Sequence, residues 1–327
     1  MPAKPPISRI KAPALRPGDT IGVIAPASNI RRELLDAGCE ALHRLGYKTL
    51  YSDSIFEQDL YFAGSVERRV RELEDMFERP EVRAIICARG GYGANYLLNA
   101  IDLKKIRSHP KIFIGYSDIT TLLTHLADAT GLVTFHGPMV TKDFARSDGV
   151  DPASWEGAVC GVSRWAIDTG PNSGVRPLVE GNAEGILYGG CLSMLSASLG
   201  TPYEIHTAGS ILFIEDVATK PYQIDRMLMQ LKLAGKLDDI RGIVFGEMLD
   251  CVQKNDQDYA LPEVLLRVVG QRGIPIVCGL RSGHVSRQNV TLPIGVSVAL
   301  RVSSREVQLK ILEPATTTRS MHAREIS

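Results

Sequence analysis

Apolar and polar positions in the first half of the chain alternate between two periods. Thr20–Ser28, TIGVIAPAS, is an apolar run ending in small residues, which predicts a buried strand. Arg31–Leu45 places Leu34, Leu35, Ala41, Leu42 and Leu45 at helical spacing and stops at Gly46. Lys48–Ser52 predicts a second strand, and Ser65–Glu78, rich in Arg and Glu, an exposed amphipathic helix stopped before Pro80. Val82–Ala88 is a third strand that runs into Arg89-Gly90-Gly91-Tyr92-Gly93, with Tyr96–Ala100 helical after it. Ile112–Ile114 predicts a fourth strand, Ile119–Thr130 a helix, and Leu132–Phe135 a strand before the turn His136-Gly137-Pro138. Strands alternating with helices over short links predict a doubly wound, mostly parallel, flavodoxin-like α/β sheet domain. Its ligand crevice belongs at the C-terminal ends of the strands.

The polar, glycine- and proline-rich stretch Thr141–Pro177 breaks the alternation and reads as a linker. The expected division is therefore a first domain over residues 1–165 and a second over 166–327. In the second half the pattern predicts strands at Ala183–Tyr188, Ser210–Val217, Ile240–Phe245 and Pro275–Cys278. Helices are predicted at Cys191–Leu199, Pro221–Ala234 and Leu261–Val269. Asn289–Leu292, Val296–Val302 and Val307–Leu312 add a β-rich end to this mixed α/β domain. The proline-rich N-terminus reads as a loose arm, and residues after Pro314 as a frayed tail.

Composition narrows the function classes. Over 327 residues, 37 basic and 37 acidic side chains cancel, so no electrostatic footprint points to nucleic acid or to a membrane surface. No apolar run reaches the length of a membrane span, and the N-terminus has no signal core, so a cytoplasmic protein is expected. The six cysteines are widely spaced without a CxxC pair, which argues for buried free thiols in a reducing compartment rather than a metal ribbon. No metal or cofactor is expected.

Chemistry concentrates at strand ends. In Lys111–Thr120, KIFIGYSDIT, Ser117 sits on a strand-to-helix turn beside the first free N–H groups of a helix. That is the physics of a nucleophile elbow, although the second glycine of G-x-S-x-G is missing; helix capping by Ser117 or Asp118 is the other reading. Glu215 and Asp216 end an apolar strand and are either functional carboxylates or helix N-terminal charges. His284, in SGH, is the candidate base, with His136, in FHGP, competing. Ser117, His284 and Glu215 meet the needs of a hydroxyl nucleophile, its base and an orienting carboxylate if the two domains face one crevice. Backbone N–H groups of the Gly90–Gly93 turn, with that of Asp118, are candidates for an oxyanion hole, or the turn simply needs positive φ. Cys191, in YGGCLSML, is a rival thiol nucleophile ranked below Ser117. Arg89 suits a substrate carboxylate or a structural ion pair.

Taken together, GVIAPAS, ARGGYGANYLL, IGYSDITTLL, FHGP, GGCLSML, ILFIEDV, PYQIDRML and SGH resemble the LD-carboxypeptidase family of serine peptidases. They occur in the family's order from about Ile21 to Gly295. That family includes murein tetrapeptide carboxypeptidases and microcin C immunity peptidases. The resemblance implies a Ser117–Glu215–His284 triad shared between two domains, with the N–H groups of Asp118 and Gly91 for the oxyanion. It further implies a peptide substrate, release of the terminal D-alanine from murein tetrapeptide during cell-wall recycling, no cofactor and a homodimer. Members often carry Asn where Cys191 stands, so the thiol looks dispensable. The short stretch between Glu215 and His284 is closer to the murein enzymes. Cleavage of aminoacyl-nucleotide antibiotics is the alternative activity, and a non-catalytic two-domain binding protein the alternative class.

Overall fold

A computed structural model describes residues 8–252 and 259–318. The first half runs β1 (Thr20–Ile24), α1 (Arg32–Arg44), β2 (Lys48–Leu50), α2 (Val66–Glu78), β3 (Val82–Cys87), α3 (Leu103–Ser108), β4 (Ile112–Gly115), α4 (Thr120–Thr130) and β5 (Thr134–His136). There follow α5 (Pro152–Val159), β6 (Trp165–Ile167), β7 (Arg176–Val179), β8 (Gly181–Cys191), α6 (Leu192–Ala197), β9 (Ser210–Glu215) and α7 (Pro221–Leu233). The chain closes with β10 (Gly242–Gly246), α8 (Leu261–Val269), β11 (Ile276–Leu280), β12 (Leu292–Ile294), β13 (Ser297–Val302) and β14 (Val307–Ile311).

The first sheet has the order β12-β5-β4-β3-β1-β2, parallel except at β12. This is the flavodoxin-like order expected, with its switch point between β1 and β3. The second sheet has the order β6-β14-β13-β8-β9-β10-β11-β7. Its centre, β8 to β11, is parallel, and antiparallel strands flank it on both sides. Both centres are apolar on both faces: every residue of β4, β9 and β10 is buried. Such runs suit strands covered on both sides. The halves are not sequential, because β12 leaves the second half and pairs antiparallel with β5, Leu292 opposite His136.

Four local expectations give way. Thr141–Pro177 is not a linker: it holds a π-helical turn at Val140–Phe144, α5, β6 and the start of β7. Asp151 caps α5 by accepting from the Ser154 N–H at 2.8 Å, and Pro152 occupies its first turn, so these polar residues start a helix. The glycines there serve packing as well: a Cβ on Gly157 would stand 2.5 Å from the Trp165 ring. The N-terminal arm is docked from Ile10 onward, with Ala12, Ala14 and Leu15 buried. Beside it lie Ala315 and Thr316, both buried, and Thr317 donates its N–H to the Ala12 carbonyl at 2.8 Å. The tail beyond residue 318, which includes His322, lies outside the described residues. Helix α3, capped by Asp102, had no counterpart in the apolar pattern.

Helix α2 is the fourth case. Ser65 caps it as its position suggests, but Arg68, Arg69 and Glu72 are buried rather than exposed. Arg68 Nη2 donates to Glu72 Oε1 at 2.6 Å, and Arg68 Nη1 donates to the Ala25 and Ala63 carbonyls. Glu72 Oε2 accepts the Ala25 N–H at 2.9 Å. Arg69 Nη1 donates to the carbonyls of Pro26 and Gly93. The helix therefore clamps the loop after β1 and the glycine turn after β3, the two sides of the switch point.

Burial pushes the Glu72 carboxyl up to about 7, against the pull of Arg68 and the Ala25 N–H. Arg68→Met would leave this carboxylate buried without its partner, a change that costs about 3–5 kcal/mol. Below the raised value Glu72 is neutral in the folded state and loses less by the change. Urea unfolding should therefore show a larger destabilisation by Arg68→Met at pH 8 than at pH 5.

Candidate active site

Ser117 stands where β4 gives way to α4. Its φ is +64°, a left-handed value that is strained for a residue with a side chain. Only a tight turn between strand and helix holds it there, and the turn presents a half-buried hydroxyl at the sheet's C-terminal edge. Gly90 packs against it: a Cβ on Gly90 would lie 2.8 Å from Ser117 Cβ and 3.1 Å from Oγ. Gly91, at φ +106°, crosses Ser28, whose Oγ accepts the Tyr92 N–H at 3.1 Å. The Asp118 carboxylate is buried and accepts the Ala94 N–H at 2.7 Å. Burial pushes it up to about 6, opposed by that N–H, Arg69 and Gly93. Arg89 is exposed beside this turn, and its Nη1 donates to the Asn29 carbonyl at 3.2 Å. The glycine turn, Ser117 and Asp118 thus form one framework, with Arg89 at its edge.

Glu215 ends β9 in the second sheet, opposite Cys191 of β8, and is fully buried. His284 Nδ1 donates to Glu215 Oε2 at 2.8 Å, and the His284 backbone N–H donates to the same oxygen at 3.1 Å. Burial alone would raise the Glu215 carboxyl; His136 and His284 overcome it and hold the group at about 2. Gly283, at φ +93°, makes the approach possible, since a Cβ there would sit 2.6 Å from Glu215 Cδ. Asn289 fixes that glycine from both sides, accepting its N–H and donating to its carbonyl. The His284 ring meets the ring of Tyr116 edge-on, centroids 5.1 Å apart. Tyr116 directly precedes Ser117, so the second sheet delivers the imidazole to the first sheet's serine turn.

The rivals fall into other roles. Asp216 accepts from the N–H and hydroxyl of Ser193 and from the Thr219 hydroxyl, which anchors the start of α6. Cys191 is buried, and burial, then Glu215 and Asp216, push its thiol well above the ordinary range, which disfavours the thiolate a nucleophile needs. His136 is fully buried behind Glu215. Ser28, Arg69 and Asn289 went unnoticed as site-shaping residues. Small-residue turns such as APAS mark where a backbone passes closely, but nothing local says that Arg69 points inward.

The whole chain carries two matched segments. Residues 21–137 match the LD-carboxypeptidase N-terminal domain, and residues 184–300 match the LD-carboxypeptidase C-terminal domain. The chain belongs to the LD-carboxypeptidase family. It is accordingly a serine-type peptidase, a hydrolase. A probable murein peptide carboxypeptidase of Bacillus subtilis is 42% identical over 299 residues, 90% of this chain and 92% of that one. The structure of muramoyltetrapeptide carboxypeptidase from Oxalobacter formigenes superposes with a TM-score of 0.78 at 30% identity, covering 91% of this chain and 100% of that one. The microcin C7 self-immunity protein MccF, in complex with aspartyl sulfamoyl adenosine, superposes with a TM-score of 0.85 at 26% identity, covering 94% and 100%.

In this LD-carboxypeptidase the Gly90 contact offers a direct test. Gly90 lacks a positive φ, so Gly90→Ala adds volume without backbone strain. The new methyl should displace Ser117, and a misplacement on the order of 1 Å costs about 100-fold in rate. Steady-state assays should show that loss while the melting temperature moves little.

Proposed function

We propose that this LD-carboxypeptidase releases the terminal D-alanine from murein tetrapeptide, with Ser117 as nucleophile, His284 as base and Glu215 as its orienting carboxylate. The single observation that carries the reading is the buried Glu215–His284 Nδ1 hydrogen bond, held beside the Tyr116–Ser117 turn. With Nδ1 donating to Glu215, the other ring nitrogen is free to take the Ser117 proton as Oγ attacks the scissile carbonyl. The N–H groups of Asp118 and Gly91 receive the oxyanion. Collapse of the tetrahedral intermediate passes the His284 proton to the departing amine of D-alanine. Water then repeats the sequence on the acyl-enzyme. Arg89, exposed beside the glycine turn, takes the carboxylate of the substrate.

The murein reading rests on the similarity to the carboxypeptidases named above. The likeness to MccF supports a second reading, hydrolysis of aminoacyl-nucleotide conjugates on the same triad. All six cysteines are free and five are buried, which fits a reducing cytoplasm. Among the described residues no helix is long and apolar enough to cross a membrane. A homodimer is the assembly in this proposal, and sedimentation velocity measures it.

A fluorophosphonate should label Ser117, and Ser117→Ala should lower turnover of murein tetrapeptide by about 10⁶-fold, the loss seen when a hydrolase triad serine is removed. Cys191→Ala should keep its activity. Faster hydrolysis of aspartyl sulfamoyl adenosine than of the tetrapeptide would favour the second reading. Because the Glu215 carboxyl is held at about 2, it stays ionised across the working range. A log plot of kcat/KM against pH should therefore show no step from Glu215 above about pH 4, and Glu215→Gln should lower kcat far more than it changes KM.

A further inference from the structure

Glu215 has a second oxygen that the triad does not use. Oε2 receives both donors from His284, while Oε1 is buried and accepts no hydrogen bond. Facing it at 3.7 Å is His136 Nε2, which is also buried and unpartnered. The other nitrogen of that ring, Nδ1, lies 3.0 Å from the Ser282 hydroxyl, and Ser282 is fully buried. Two buried polar atoms that face each other with no protein partner are costly unless they pair at some stage. The packing keeps them opposed. The His136 ring meets Phe213 of β9 edge-on, and Gly283 passes so close that a Cβ would lie 2.8 Å from His136 Cε1.

We propose that His136 is a positioning residue, donating from Nε2 to Glu215 Oε1 as charge develops on His284, with Ser282 fixing its tautomer. The inference rests on the triad reading above. Ser282 donates its hydroxyl proton to Nδ1, so the ring proton stays on Nε2. At 3.7 Å the contact is too long for a hydrogen bond in the resting enzyme, and such bonds commonly tighten only in the reacting complex. With both oxygens held, the carboxylate cannot rotate away from His284, and its charge is shared between two imidazoles.

The surroundings leave this task to His136. From β8 the group facing Glu215 is the Cys191 thiol, and from the loop after β10 the Cys251 thiol, both raised by burial. From the turn after β4 it is the Tyr116 phenol, also raised, with Asp143 behind it. Asp216 is spent on Ser193 and Thr219. The cation acting on Tyr116, Arg146, is tied to Asp148 and to the Ser286 carbonyl. Apart from His284, none of these brings a positive charge to the carboxylate.

The test is a pH–rate series on four proteins: wild type, His136→Phe, His136→Gln and Ser282→Ala. Without the donor, Glu215 pulls harder on the His284 proton, so the acid limb of kcat/KM moves to higher pH. His136→Phe should show that shift, with kcat about tenfold or more below wild type and KM nearly unchanged, the scale of losing a partner behind a functional side chain. His136→Gln can still donate and should return both limb and kcat toward wild type. Ser282→Ala, the mildest change, should shift the limb in the same direction and reports on the idea if His136→Phe does not fold. A wild-type limb in both His136→Phe and Ser282→Ala overturns the proposal, as does equal loss in His136→Phe and His136→Gln with no limb shift. Fluorophosphonate labelling of wild type separates the two levels. No adduct at Ser117 removes the triad reading and this inference together, whereas an adduct with an unmoved limb removes this inference alone.

Discussion

A carboxylate with no exposure to water has to be compensated where it stands, and Glu215 is compensated by two donors from His284, with His136 facing its other oxygen. An isolated buried charge costs many kcal/mol, so the His284 ring cannot leave without the fold losing much of its stability. That constraint reaches outward. It requires Gly283 to lack a side chain, Asn289 to pin Gly283, and β9 to end at this depth. The same burial that makes the pair expensive makes it precise, because low dielectric strengthens the bond it encloses.

The first sheet solves a different problem with similar means. Its crevice needs three loops held at fixed height, after β1, β3 and β4. Backbone pairing cannot do this beyond the strand ends, so side chains do: Arg69 joins Pro26 to Gly93, Asp118 takes the Ala94 N–H, and Ser28 takes the Tyr92 N–H. Exposed tyrosines 61, 92 and 96 cluster on the outer side of this framework with ring centroids 5.8 and 6.2 Å apart along the series.

Much of this was legible in the sequence because strand and helix periods are local. Every residue of the GYSD turn and both central strand systems could be placed from apolar spacing and turn chemistry. Ser117, Glu215 and His284 stood out as residues at strand ends, and family resemblance joined them. What stayed hidden was long-range. Arg68, Arg69 and Glu72 read as a solvated face, because their charge is visible in sequence and their partners, carbonyls far along the chain, are not. Thr141–Pro177 read as a linker because proline and glycine mark turns equally well inside a folded unit. The return of β12 to the first sheet has no local signature at all, since an edge strand of three residues carries too little pattern.

That returning strand has a bearing on when the enzyme comes alive. His284 lies between β11, which finishes the parallel centre of the second sheet, and β12, which completes the edge of the first. Its loop is thus stretched across both sheets, and its far end is set when β12 finds β5, a contact between distant parts of the chain that is slow to close. During synthesis the serine turn is made early, but the base arrives after nearly the whole polypeptide has emerged. A ribosome-bound or truncated chain would carry a shaped crevice without its base. Hydrolysis would thus be switched on by completion of the fold.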